Sequence, residues 1–138
     1  ILAFWFIGEK AEISGEGYVL NIEEDRVTGI KISGEGEIHV VIPEGVVVPR
    51  LGVYACTCLV DGKTYLAVTN IGSRPTVDGH QVRAESWLLD FDGDLYGKFI
   101  QLQFFKFLRP ERKFPSLEEL RTEIRKNGEE TRKYFENF

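Results

Sequence analysis

The run Arg83-Ala84-Glu85-Ser86-Trp87-Leu88-Leu89 sets one carboxylate among large apolar groups. If the run is a strand, Glu85 shares its face with Trp87 and Leu89, because side chains two apart point the same way. A carboxyl group in apolar surroundings tends to hold its proton more tightly, which suits a general base near neutral pH. Phosphoryl transfer to an alcohol is one reaction such a base serves. It also asks for a metal to neutralise phosphate charge and for backbone amides to hold the phosphates. The plainer alternative is an outward strand residue paired with a neighbouring arginine.

Two further segments are candidates. Asn70-Ile71-Gly72-Ser73-Arg74-Pro75-Thr76 reads as a polar loop directly after a hydrophobic strand, and loops fixed on a rigid scaffold often carry binding groups. A plain turn built from its Gly and Pro is the other reading. Phe107-Leu108-Arg109-Pro110-Glu111-Arg112-Lys113-Phe114 combines arginine with aromatics, a set able to stack on and hydrogen-bond a flat polar ring system. Its alternative is a solvated linker.

Metal sites are poorly supported. Asp90, Asp92 and Asp94 resemble the start of a calcium loop, but Gln101 stands where the bidentate Glu should fall. Cys56 and Cys58 share a strand face, yet only the isolated His39 and His80 could complete a four-ligand zinc site. They read instead as two thiols in a β-sheet of a cytoplasmic protein.

These residues need a scaffold, and the chain reads as strands ended by a helix. Val53 to Val60 and Thr64 to Thr69 are rich in β-branched and aromatic residues, and Asp61-Gly62 between them supplies a tight hairpin turn. Arg83 to Leu89 and Lys98 to Phe107 read as a second pair, joined across Asp92-Gly93. In the latter, Ile100, Leu102 and Phe104 alternate with Gln101 and Gln103, predicting one buried face and one wet face. Ile13 to Leu20, Arg26 to Ile32 and Glu37 to Ile42 are weaker strand candidates. Ser116 before Leu117-Glu118-Glu119-Leu120 is a capping box, and Leu117, Leu120 and Ile124 then fall on one helical face. Asn127-Gly128 is expected to end or kink that helix, with a second short helix over Glu129 to Phe135. The phrase Ile-Ser-Gly-Glu-Gly, at 13–17 and again at 32–36, reads as turn chemistry used twice.

The whole is expected to be one domain over 1–138, with a barrel over about 8–108 and a helical segment over about 116–137. The chain has 138 residues, 43% of them hydrophobic and 28% charged, which is ordinary globular usage. A net charge of −5 argues against an electrostatic grip on nucleic acid. No apolar run approaches the roughly 20 residues of a membrane-spanning helix. The chain begins without Met and is expected to be a fragment or a processed chain.

Taken in order, these pieces resemble the riboflavin kinase domain of bacterial bifunctional riboflavin kinase/FAD synthetases. The matching phrases are Gly52-Val53-Tyr54-Ala55, Asn70 through Thr76, Glu85 through Gly97, Phe107 through Glu111, Lys113-Phe114, and Ser116 through Leu120. The resemblance implies a mainly β fold, a six-stranded antiparallel Greek-key barrel with a C-terminal helix. It implies transfer of the γ-phosphate of ATP, with Mg²⁺, to the 5′-hydroxyl of riboflavin, giving FMN. By the same match Glu85 takes the place of the catalytic base, and Gly15, Gly17 and Tyr96 fall near the nucleotide. Asn70, Arg74, Arg109 and Phe114 fall near the flavin. An adenylyltransferase domain upstream, a cytoplasmic location, and no nucleic-acid or membrane partner belong to the same expectation.

The sequence departs from that family in one stretch. A Gly-Phe-Pro-Thr-Ala-Asn run that holds Mg²⁺ and phosphate is replaced at the corresponding positions by Gly34-Glu35-Gly36-Glu37-Ile38-His39. Glu37 and His39 are the candidate substitute metal ligands, since a carboxylate with imidazole binds divalent metals. A catalytically silent flavin-binding or regulatory domain is the rival reading, and a nucleic-acid-binding barrel is a third.

Overall fold

The structure, a computed structural model, describes residues 12–13, 19–22, 28–32, 35–42, 48–93 and 100–137. Among the described residues nine strands precede one helix: β1 (Glu12–Ile13), β2 (Val19–Ile22), β3 (Thr28–Ile32), β4 (Glu35–Ile42), β5 (Val48–Pro49), β6 (Gly52–Val60), β7 (Lys63–Thr76), β8 (Gly79–Leu89), β9 (Ile100–Arg109) and α1 (Leu117–Glu136). For β1 to β4 the description is of backbone pairing, Ile42 apart.

The β6–β7 hairpin forms where expected. Asp61 and Gly62 both take positive φ, 50° and 79°, the pair that a two-residue turn matching the twist of its strands requires. Val60 then faces Lys63 across the ladder. From there β7 runs on through Asn70–Thr76 and turns over Val77-Asp78 into β8, Thr76 opposite Gly79. The expected polar loop is therefore a strand. Its backbone groups are taken up by β8, and Pro75 sits beyond Ile71, where β7 has lost β6 as a partner and a missing N–H costs nothing.

β9 returns to lie beside β6, not β8. The order β9-β6-β7-β8 is a Greek key, three hairpin-linked strands with the fourth beside the first. Pairing of β8 with β9 across Asp92-Gly93 does not occur, because β4 occupies the other edge of β8. With β2 beside β9 and β3 beside β4, seven strands are ordered β2-β9-β6-β7-β8-β4-β3, and β1 pairs β5 in parallel separately. The mainly β, antiparallel architecture with a C-terminal helix is as expected, and among the described residues seven strands pair in the large sheet where six were expected.

Side-chain alternation sends one face of this sheet into a core. Tyr54, Cys56 and Cys58 from β6, Ala67 and Ile71 from β7, Ala84 and Leu88 from β8, and Ile100, Leu102 and Phe104 from β9 pack there. The expected wet face of Gln101 and Gln103 is half-buried. Register shifts between β6 and β9 change the phase after Phe104, so Phe107 also meets Tyr54, edge to face at 5.2 Å.

α1 is one helix. Ser116 caps it by accepting a hydrogen bond from the Glu119 amide at 3.2 Å. It continues through Asn127-Gly128 and into the expected second helix without a break. Those two residues are buried against the sheet: a Cβ on Gly128 would lie 3.5 Å from Trp87 Cζ3 and 3.6 Å from Leu89 Cδ2. Close approach to β8, not helix termination, is what the small residue serves. Leu117 is exposed, so the anticipated apolar face is carried by Leu120 and Ile124.

Candidate active site

The opposite face of β6, β7 and β8 does not enter the core. Val53, Val68, Asn70, Glu85 and Trp87 line one wall of a cavity of about 260 Å³, and Ser86 reaches its edge. The segment from Arg109 to Phe114 and Leu120, Ile124 and Asn127 of α1 form the other wall. This volume lies near the lower end of small-molecule sites, which are typically about 300–1,000 Å³.

Glu85 stands in this wall with its side chain 24% exposed, and Arg74 Nη2 donates to its Oε1 at 2.5 Å. The two are brought together because β7 and β8 run antiparallel, with Asn70 directly opposite Glu85. Glu85 is thus paired with an arginine, as the plainer reading expects, and it also faces the cavity. On the same wall Asn70 Oδ1 and Trp87 Nε1 are buried and have no hydrogen-bond partner among the described residues. Just inside the sheet the buried hydroxyls of Thr69 and Ser86 satisfy each other at 2.9 Å.

The far wall is held by a charged network. Arg109 Nε donates to Asn127 Oδ1 at 3.1 Å and lies 3.3 Å from Glu123 Oε1, while Arg112 reaches Glu123 Oε2 at 3.1 Å. Burial pulls the Arg109 guanidinium below its ordinary value, and the Glu123 carboxylate pulls the other way. Both arginines flank the Phe114 ring, at 5.4 and 4.8 Å from its centroid. Asn127 in turn donates to Glu130 at 3.2 Å. Glu111 packs over Gly72, where a Cβ would fall 2.6 Å from its Oε2 and would turn that flexible carboxylate aside.

Among the residues singled out by sequence, Glu85, Asn70, Arg109 and Phe114 line this cavity, and Arg74 touches it through Glu85. Gly15, Gly17 and Tyr96 lie outside the described residues. For Glu37 and His39 the backbone alone is described: β4 sets Glu37 opposite Trp87 and His39 opposite Glu85. Among the described residues no group of three or more His, Cys, Asp or Glu stands together to hold a metal ion. Trp87 and Asn127 were missed as site residues. Trp87 registered only as a neighbour of Glu85, and Asn127 was absorbed into a helix-stop signal.

The model of a family described as Flavokinase, riboflavin kinase, matches residues 16–135. Three curated bifunctional riboflavin kinase/FMN adenylyltransferases are similar. That of Listeria monocytogenes is 35% identical over 95 residues, 68% of this chain and 30% of that protein. That of Bacillus subtilis is 39% identical over 94 residues, covering 66% and 30%. That of Pseudomonas fluorescens is 46% identical over 78 residues, covering 56% and 25%. The chain thus spans less than a third of the length of these relatives. A crystal structure of a macrolide-efflux protein from Streptococcus pneumoniae matches with a TM-score of 0.64 at 27% identity, covering 70% of this chain and 32% of that one.

Proposed function

The chain belongs to the riboflavin kinase family, phosphotransferases that turn riboflavin into FMN, and from that premise we propose that Glu85 is the base of this reaction. The observation that carries the proposal is the placement of Glu85 in the wall of the cavity, beside two buried polar atoms without partners among the described residues. The Glu85 carboxylate takes the proton of the riboflavin 5′-hydroxyl while that oxygen forms its bond to the γ-phosphorus of ATP. The bond from the γ-phosphorus to the bridging oxygen breaks, and ADP leaves. Arg74 holds the carboxylate in place through its hydrogen bond. Arg109 and Phe114, fixed by Glu123 and Asn127, supply a cationic and aromatic wall for the planar flavin.

Mg²⁺ is proposed to enter with ATP as part of that substrate. Gly15, Gly17 and Tyr96 remain the proposed nucleotide-side residues, with Glu37 and His39 the proposed replacements for the missing Thr-Ala-Asn run. The similar curated proteins are bifunctional, so an adenylyltransferase domain is the proposed neighbour of this one in a longer protein. The proposed setting is the cytoplasm. No described helix is long and apolar enough to cross a membrane.

Incubation with riboflavin, ATP and Mg²⁺ followed by chromatography for FMN tests the proposal. FMN that accumulates with time and enzyme supports it. Flavin binding without any FMN, even at high enzyme concentration, would instead favour the silent flavin-binding reading. The names of the similar proteins speak against that rival.

A further inference from the structure

Two arginines stand at the end of the β8 wall that the cavity does not reach. Along the outward face of β8 the order is Gln81, Arg83, Glu85, Trp87, since side chains two apart share a face. Trp87 and Glu85 line the cavity, whereas Arg83 lies beyond Glu85, about 7 Å farther along the strand. Arg74 joins it from β7, where it stands opposite Gln81. Glu85 therefore has the cavity on one side and two guanidinium groups on the other.

Both groups are only partly used. Arg74 gives Nη2 to Glu85, and Arg83 gives Nε to Gln81 at 2.9 Å. Among the described residues nothing takes Nε and Nη1 of Arg74, or Nη1 and Nη2 of Arg83. Arg132 behaves differently, closing on both oxygens of Asp90 at 2.6 and 3.2 Å. An arginine that fastens a carboxylate spends its fork on it, but Arg74 holds Glu85 by one prong and the fork of Arg83 is closed on no described carboxylate. Glu111 packs over Gly72, opposite Arg83 in the ladder, yet makes no ion pair with either arginine. Gln81 fixes Arg83 through Nε, which leaves its two terminal nitrogens as a matched pair of donors. Such a pair fits two oxygens of a phosphoryl group.

Position says where those oxygens come from. A base at Glu85 draws the attacking hydroxyl to the edge of the cavity. The phosphorus must then approach that oxygen from the side away from the carbon chain that carries it. With the chain in the cavity, that side is the end of the wall where Arg83 and Arg74 stand.

We propose that Arg83, together with Arg74, is a catalytic residue that binds the transferring phosphoryl group of a nucleoside triphosphate. Nη1 and Nη2 of Arg83 donate to two γ-phosphoryl oxygens, and Nη1 of Arg74 donates to the third while Nη2 keeps Glu85 in place. Negative charge spreads over those oxygens as the attacking oxygen bonds to phosphorus and the bond to the bridging oxygen breaks. Fixed cationic donors there favour the transition state over the bound substrates. The inference rests on Glu85 as the base and adds the cationic groups on the far side of the attacking oxygen.

The test follows FMN formation by the unaltered chain, Arg83→Ala and Arg83→Lys, with riboflavin affinity read separately by fluorescence quenching. Arg83→Ala is expected to lower kcat by about 100-fold, the scale of one lost donor to a transition-state charge, and to leave the riboflavin Kd essentially unchanged. Arg83→Lys keeps the charge without the fork and should fall in between. Guanidinium ion, added below the range that unfolds the protein, should restore part of the turnover of Arg83→Ala, which it would not do for a merely structural residue. Unaltered kcat in Arg83→Ala overturns the inference, as does a defect explained wholly by weaker riboflavin binding. If Arg83→Ala does not fold, Arg83→Lys decides, and unaltered kcat there overturns it. FMN formed equally well without the Arg83 guanidinium sinks this inference alone, whereas no FMN from the unaltered chain removes it together with the phosphotransfer reading of Glu85.

Discussion

Strands β6, β7 and β8 each serve two chambers, and the chambers are built to different rules. Inward, Tyr54, Cys56, Cys58, Ala67, Ala84 and Leu88 close an apolar core, and the polar groups admitted beside it, Thr69 and Ser86, bond to one another. Outward, one residue over on the same strands, Asn70, Glu85 and Trp87 face a cavity with an arginine-held carboxylate and two polar atoms left without partners among the described residues. Backbone and pairing are common to both, so the difference lies wholly in what the side chains are satisfied by. The core completes itself, whereas the cavity wall does not among the described residues. Sites of reaction are expected where a fold tolerates that incompleteness.

The sharpest way to break this comparison is to exchange one residue from each face of β8. Glu85→Gln should lower FMN formation by at least about 100-fold, the scale of a lost general base, with a nearly unchanged denaturation midpoint. Leu88, three residues away and fully buried, should behave in the opposite way. Leu88→Ala is expected to cost about 2–5 kcal/mol in denaturant unfolding while the folded fraction keeps its turnover. A Glu85→Gln protein that retains activity, or that unfolds as readily as Leu88→Ala, would dissolve the distinction between the faces.

The two thiols sharpen the comparison from the core side. Burial pushes Cys58 up to about 12 and moves Cys56 in the same direction, against the pull of a hydrogen bond with Thr69. Their protonated forms are the ones the fold accommodates. A raised folded value stabilises the protein below the ordinary thiol value of 9.0, and this contribution is lost as pH rises toward the folded value. The loss between pH 9 and pH 10 is about 1 kcal/mol per thiol, readable as a falling urea midpoint. Both thiols should also resist a thiol reagent at pH 8 until the protein is unfolded. Rapid labelling of the native protein would show that the core is not sealed.

What the sequence made legible follows the same division. Local chemistry was readable: positive-φ residues at Asp61-Gly62, the Ser116 cap, and the alternation of Ile100, Leu102 and Phe104 all require only near neighbours in the chain. The carboxylate of Glu85 stood out because it is the one carboxylate of its strand, set beside large apolar groups. Long-range pairing was not readable. β9 lies beside β6 because β4 has taken the edge of β8, a fact no run of β9 encodes. Asn70–Thr76 looked like a loop because its Gly and Pro read as turn chemistry, while the pairing with β8 that makes it a strand is long-range. Asn127-Gly128 looked like a helix end because the sequence does not show that Trp87 and Leu89 wait beneath it. The unpartnered atoms of Asn70 and Trp87 were hidden for the same reason, since satisfaction is a property of the packed fold.

The smallest expected effect concerns how α1 is fastened over the cavity. Arg132 donates to both oxygens of Asp90 at 2.6 and 3.2 Å, tying the helix to the residue that follows β8. The Arg132 hydrogen bond holds the Asp90 carboxyl below its ordinary value of 3.8. A depressed carboxyl stabilises above that ordinary value, and the contribution is lost as pH falls through the lower, folded value. Asp90 is 76% exposed, so water and salt screen the pair and its share in global stability is small. Helix docking rests mainly on burial of Asn127, Gly128 and Thr131. Arg132→Gln should therefore leave the denaturation midpoint almost unchanged, yet speed amide exchange in the last turns of α1, and 1 M salt should reproduce that effect in the unaltered chain. A global loss as large as that of Leu88→Ala would mean that the outer chamber is held by its charges and not by the small residues packed beneath the helix.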